Sequence, residues 1–245
     1  MDKRILIFLL VGGMAGVVGY LALNKMGQAA GTPAVASASA SEAAPEAAPV
    51  DINALKTKAD GGDLAAQTSL GWIYQKGDNV KPDVKTAIKY FQAAADHNYP
   101  DALAALGELN QAGQGVPMNL TNAVRLYQLA AAKGSVAGQY DLAYVYEQGT
   151  GVNQSETEAA KWYQLAAEGG DATAQYDIGQ RYTLGVGVRT NHIQAFKWLT
   201  LAAAQGQSDA NSILSDLKSK MTDSEIEQAK QLASSFTPRA VSEAR

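Results

Sequence analysis

Between Ala137 and Gly170 the apolar positions fall into two helical stripes. In the first, Leu142, Val145 and Tyr146 recur at i, i+3 and i+4, which is one face of a helix, and Ala143 lies beside them. In the second, Ala159, Trp162, Tyr163, Ala166 and Ala167 make the apolar face. Gly149 stands where the first stripe stops and is expected to close that helix in a left-handed C-cap. Ser155, with Glu158 three residues later, is expected to open the second helix as a capping box. In the intervening TGVNQ, Val152 is an apolar residue in a polar loop, so the loop should be pinned to the core. Gly169 and Gly170 then turn the chain. The pattern predicts two antiparallel helices with a short loop at each end.

The same stripes return at a step of 36 residues: Gly77, Gly113, Gly149 and Gly185; Ala87, Ala123, Ala159 and Ala195; Leu70, Leu106, Leu142, Ile178 and Leu214. Val80, Val116 and Val188 match Val152, and Gly71, Gly107 and Gly179 match Ala143. A glycine inside a helix costs about 1 kcal/mol, so close packing of the second helix must offset it. A fixed period in this range marks a solenoid, in which each hairpin buries its apolar face against the next. Gly62, Asn98, Gly134, Gly170 and Gly206 keep the step too, which assigns Asp51–Asp60 to a second-helix half and Ala210–Ser219 to a first-helix half. Thr222 and Glu225 form another capping box before a helix carrying Ile226, Ala229, Leu232 and Ala233, expected to cap the array with a polar outer face.

The repeated string A-x-A-x-x-x-L-G-x-x-Y-x-x-G-x-G-V followed by A-x-x-W-Y-x-x-A-A-x-x-G resembles the Sel-1-like repeat, a relative of the tetratricopeptide repeat. One copy is carried by Ala174, Ile178, Gly179, Tyr182, Gly185, Gly187, Val188, Ala195, Trp198, Ala202, Ala203 and Gly206. Asn79 departs from the pattern at a loop glycine, and Asn110 at the tyrosine. The resemblance implies an all-α fold, an α/α superhelical solenoid of about four hairpins plus capping helices. It also implies a non-enzymatic protein-interaction adaptor, often in the bacterial envelope. Its repeats are read as about 62–97, 98–133, 134–169 and 170–205, within an array spanning 51–236 and closed by a cap over 206–236; a frayed tail is expected over 237–245.

In the related tetratricopeptide fold the first helix of each unit lines the concave face. On that alignment the candidate partner-binding residues are Thr68, Trp72, Gln75 and Lys76; Ala104, Glu108 and Gln111; Tyr140, Tyr144 and Glu147; Tyr176, Gln180 and Thr183. Trp72, Tyr140, Tyr144 and Tyr176 read either as a partner-facing aromatic strip or as packing between units, because aromatic side chains serve both ends. Charge is uneven along the array. From Asp101 to Asp177 nine acids face three cations, Arg125, Lys133 and Lys161. That excess reads as steering for a basic segment or as an acidic solvated surface.

The N-terminus is organised differently. Asp2-Lys3-Arg4 precedes 19 uncharged residues, Ile5 to Leu23, and Lys25 closes the run. As a helix the run would span about 28 Å, close to a bilayer's hydrocarbon core. Residues 1–26 are therefore expected to be a single transmembrane anchor rather than a cleaved signal peptide, whose apolar region is shorter. Lys3 and Arg4 place the N-terminus in the cytoplasm and the repeats across the inner membrane in the periplasm. Gly12 and Gly16 offer a weak self-association face. Residues 27–50, rich in Ala, Ser, Pro and Glu, read as a disordered tether. The alternative is cleavage near Ala36-Ser37-Ala38 or Ala38-Ser39-Ala40, which would release a soluble secreted effector.

The chain has 245 residues, a net charge of −4 and no cysteine. Absence of a basic field argues against nucleic acid as partner, and absence of cysteine excludes disulfides and thiolate chemistry. His97 and His192 lack ligand-spaced carboxylates. Gly185-Val186-Gly187 lacks the strand and the G-K-[ST] of a phosphate loop. Ser234 and Ser235 lack a nucleophile elbow. No catalytic residue, cofactor or metal is therefore assigned. A cell-envelope hydrolase is the remaining enzymatic alternative.

Overall fold

The computed structural model describes residues 50–239. The proposed anchor, most of the tether, Gly12, Gly16 and the end of the tail (240–245) lie outside the described residues. No helix among the described residues is long and apolar enough to cross a membrane.

The described chain forms eleven helices: α1 (Ile52–Asp60), α2 (Leu64–Lys76), α3 (Val84–Asp96), α4 (Pro100–Ala112), α5 (Leu120–Ala132), α6 (Val136–Gln148), α7 (Glu156–Glu168), α8 (Ala172–Leu184), α9 (His192–Ala204), α10 (Ala210–Lys218) and α11 (Asp223–Ser234). Each helix packs on its sequence neighbour within the hairpins α2–α3, α4–α5, α6–α7 and α8–α9, and each hairpin packs on the next. First helices also touch one another directly, α4 on α6 and α8 on α10. Here α2, α4, α6 and α8 share one side of the stack.

Local chemistry sets the boundaries. Asp63, Asp83, Asn119, Ser135, Asp171 and Asn191 each accept a backbone N–H in the first turn of the following helix, which removes one of its orphan donors. Helix α4 has no such cap; Pro100 at its first position has no N–H to satisfy. At Ser155 the expected capping box is only half made. Its Oγ accepts the Glu158 N–H at 3.3 Å, but the Glu158 carboxylate turns to Lys161 (2.9 Å) and the Ser155 N–H donates to the Tyr146 carbonyl (2.9 Å). The box at Thr222 and Glu225 is complete. Asn79 and Asn98 hold φ of 59° and 58°, so each keeps the left-handed backbone supplied by glycine in the other copies. Asparagine is the side chain that tolerates this conformation best.

The core is a chain of small clusters. Leu70, Leu142 and Ile178 are fully buried at equivalent positions. Opposite them, at another 36-residue register, lie Phe91, Tyr127, Tyr163 and Leu199. Each of these rings or side chains faces a residue of the first helix that has almost no side chain. A Cβ at Gly107 would stand 2.6 Å from Tyr127 Cε1, one at Gly179 would stand 2.7 Å from Leu199 Cγ, and one at Gly71 would collide with the Phe91 ring. The third unit has the buried Ala143 there. Burying each large side chain contributes roughly 1.5–3 kcal/mol, which outweighs the helix cost of the glycine. Val116, Val152 and Val188 are partly buried against the core clusters, so those loops are pinned.

The end of the described chain is not frayed. Phe236 packs edge-on against Trp198 (5.5 Å between ring centres), and the Arg239 N–H donates to the Glu168 carbonyl at 2.8 Å. Thr237–Arg239 therefore runs back along α9 to α7, correcting the expected tail for these residues.

Candidate partner-binding face

The side shared by α2, α4, α6 and α8 carries every residue expected to meet a partner, but it does not present them equally. Tyrosine hydroxyls arriving from the second helices claim two of them. Tyr127 Oη donates to Gln111 Oε1 at 2.8 Å, and Tyr163 Oη donates to Glu147 Oε2 at 2.9 Å. A buried tyrosine needs such an acceptor. In the first unit the ring is Phe91, no hydroxyl arrives, and the matching Gln75 keeps its Oε1 buried without a hydrogen-bond partner. Its Nε2 reaches Gln114 Oε1 at 3.4 Å. Thr68 is buried, with its hydroxyl donating to the Leu64 carbonyl (2.9 Å), and Thr183 likewise donates to the Gly179 carbonyl (2.9 Å). Gln111, Glu147 and Thr183 thus serve the fold.

The aromatic strip divides. Tyr140 sits edge-on to Tyr163 (5.4 Å) and packs on the core of units three and four. Tyr176 packs beside Ala195 and Phe196 in the next core cluster and accepts a hydrogen bond from Gln180 Nε2 (2.6 Å). Both are packing residues first. Tyr144 is half-buried. Trp72 is also half-buried, with its edge on the Phe91 ring (5.1 Å) and Lys76 Nζ 5.6 Å from its ring centre. Its other surroundings form a cavity of about 430 Å³, walled by Ala65, Thr68, Ser69 and Trp72 of α2, Tyr99 and Asp101 at the start of α4, and Val136 and Ala137 of α6. The wall is mainly apolar, the usual character of a small binding pocket. Asp101 at its rim already accepts the Ser135 hydroxyl (2.7 Å).

Four of the nine acids, Glu108, Asp141, Asp171 and Asp177, are drawn out of solvent, whereas Asp101 is exposed. Burial pushes the Glu108 carboxyl up to about 7, against the pull of Lys76. Burial also pushes Asp177 up to about 7, with Glu147 adding repulsion and Arg181 opposing it. Asp141 is raised well above the ordinary carboxylate range by burial, then by Glu108 and Asp171. Asp171 is raised by burial although it caps α8. Losing water disfavours the charged form, and nearby like charges add to it. Asp141 Oδ2 is shut off from solvent with no hydrogen-bond partner.

Arg181 is the cation that sequence reasoning passed over. It is only 6% exposed. It pairs with Glu147 of α6 and with Glu156 of α7 (2.6 Å), and its guanidinium lies 5.1 Å from the Tyr163 ring centre. Ile73, Leu109 and Val145 occupy the same register in the other units. A cation in an apolar column was the available signal. Among the described residues, no group of His, Cys, Asp and Glu is placed to hold a metal ion.

A family model described as Sel1 repeat matches residues 64–99, 100–135, 136–171 and 172–207. Among solved structures, the chain is 32% identical to a Sel1 repeat protein from Oxalobacter formigenes, covering 75% of this chain and 77% of that one, with a TM-score of 0.63. It is 25% identical to a protective antigen of uropathogenic Escherichia coli displaying an SLR fold, covering 76% of this chain and 48% of that one, at a TM-score of 0.49. It is 21% identical to an immunity protein of Pseudomonas aeruginosa, covering 76% and 70%, at 0.49. No curated protein matches the chain.

Proposed function

Because the chain belongs to the Sel1 repeat family, whose repeats generally mediate protein–protein interaction, we propose that it is a non-enzymatic scaffold that holds a segment of another protein against the side formed by α2, α4, α6 and α8. The observation that carries this reading is the cavity beside Trp72, where three successive first helices leave an apolar wall without a side chain of the chain's own to fill it. Concave apolar sites with a few polar groups are the usual form of a recognition site. The test is site-specific photo-crosslinking in cells. A crosslinking residue at position 72 is expected to capture a partner that the same residue at Lys161, on the exposed face of α7, does not. Equal capture at both positions, or none at either, would sink the proposal.

In this reading residues 1–26 anchor the chain in the bacterial inner membrane, and the repeats work in the periplasm beyond the 27–50 linker. The support is the 19-residue uncharged run behind Lys3 and Arg4. Protease added to spheroplasts should digest the repeats while leaving a membrane-held N-terminal fragment. A mature protein beginning near Ala38 or Ala40 would instead make it a secreted product.

A further inference from the structure

Resting on that reading of the face, we propose that its partner is a basic segment with one large apolar side chain: the apolar anchor enters the cavity beside Trp72, and the following Lys or Arg side chains reach Glu108 and Asp141.

Three observations carry it. The cavity, about 430 Å³, has ample room for a large apolar side chain, and its wall of Trp72, Tyr99, Val136 and Ala137 offers mainly apolar contact. The acids continue from this cavity on the same helix faces. Asp141 lies one turn beyond Ala137 on α6, and Glu108 lies two turns beyond Asp101 on α4. Finally, the chain answers these acids only in part: Lys76 pulls on Glu108, and Asp141 has no cation of the chain's own among its charged neighbours. Asp141 Oδ2 is buried and accepts no hydrogen bond. A buried acceptor without a donor carries a desolvation penalty that an incoming ammonium or guanidinium removes.

The charged neighbours define the setting. Glu108 is faced by Lys76 from α2, Asp141 from α6 and Tyr127 from α5. Asp141 is faced by Glu108, by Asp171 at the start of α8 and by Tyr127 and Tyr140. Lys76 is the cation on this stretch, and Arg181 is already held between Glu147 and Glu156. Burial raises both carboxyls above their ordinary range, Glu108 to about 7. A bound cation favours their ionised forms, so binding strengthens as pH rises.

The test uses the full chain and an array of decapeptides. Each combines one Trp, Phe, Leu or Gly with three Lys or three Glu at varied spacing, and binding is read by fluorescence anisotropy at pH 6 and pH 8. Apolar-anchored lysine peptides are expected to bind at least tenfold more tightly than their glutamate counterparts and more tightly at pH 8. Asp141→Asn, which keeps the size and shape of the side chain and whose folding is checked by its circular-dichroism melt, is expected to weaken them about tenfold and to reduce the pH effect. Trp72→Ala is expected to erase the preference for Trp over Gly while leaving the lysine preference. Lysine and glutamate peptides binding alike, Asp141→Asn without effect, or displacement of bound peptide by 1 mM calcium chloride would overturn the proposal. The docking reading falls separately: if crosslinking at position 72 captures a partner whose binding ignores Asp141→Asn, the face stands and its charge preference does not.

Discussion

The first two hairpins, α2–α5, and the next two, α6–α9, share a backbone plan but not an interior. In the first pair the space between helices is mainly apolar and holds no ion pair among the described residues: Phe91 lies under Trp72 and Leu109 is fully buried, with Tyr127 on Gln111 and Asn122 on Asn110 as neutral polar contacts and Glu108 as an enclosed acid. In the second pair Arg181 occupies the column of Ile73 and Leu109, flanked by Glu147 and Glu156, and Asp177 lies nearby. The close approach of the two helices of a hairpin is fixed by the small residue at 71, 107, 143 and 179. Once that is fixed, interior polarity is free to vary, provided each polar group finds a partner. The cavity lies where the apolar half meets the charged half.

The strongest way to break the comparison is to attack what both halves share. Gly107→Val drives two methyl groups into the Tyr127 ring, 2.6 Å from the position of a Cβ. It should cost about 3 kcal/mol or more, read as a drop in the urea midpoint. An unchanged midpoint would show that the small residue does not set the helix spacing.

Arg181→Leu comes next, because it gives the fourth unit the interior of the second. Breaking a fully buried pair costs about 3–5 kcal/mol; here both carboxylates keep some solvent, so the expected loss is about 2 kcal/mol. Adding Glu147→Gln should recover part of it. A single mutant as stable as the parent would mean that the charged interior contributes nothing.

Smaller effects follow from the hydroxyls. Tyr127→Phe and Tyr163→Phe should each lose about 1 kcal/mol. Phe91→Tyr should be neutral or stabilising, because Gln75 Oε1 waits there unpaired. A loss as large as that of Tyr127→Phe would refute the matching of ring to acceptor.

The comparison also has a pH dependence. Glu108 and Asp177 titrate at about 7 in the fold, above ordinary carboxylate values. Between roughly pH 4.5 and 7 the unfolded chain has released these protons while the folded chain keeps them, so their contribution to stability is full below that window and is lost as pH rises through 7. Thermal melts should show this fall, and Asp177→Asn should flatten part of it. A curve identical for parent and mutant would place Asp177 outside the titration.

Much of the fold was legible because its determinants are local and periodic. Cap residues, small residues and loop valines act within a few positions of themselves, and a 36-residue comparison exposes them. The face was less legible. Gln111 and Glu147 are spent on tyrosines 16 positions away, and Arg181 reaches Glu147 34 positions away. Register alone does not say which partner a side chain finds. The acids looked like surface because helix exteriors are commonly charged; their enclosure comes from stacking of neighbouring units. At Ser155 the expected reciprocal bond lost to Lys161, a competitor three residues from Glu158.

The segment from Phe236 to Arg239 has a practical consequence. A solenoid's stability is a sum over adjacent units, yet here the last residues skip backwards, with Phe236 on α9 and Arg239 on the closing carbonyls of α7. The C-terminal units are laced together like a buckled belt. Deleting residues 236–245 should therefore loosen α7 as well as the cap, and any label joined after Arg239 would emerge beside the third hairpin rather than at the far tip of the rod.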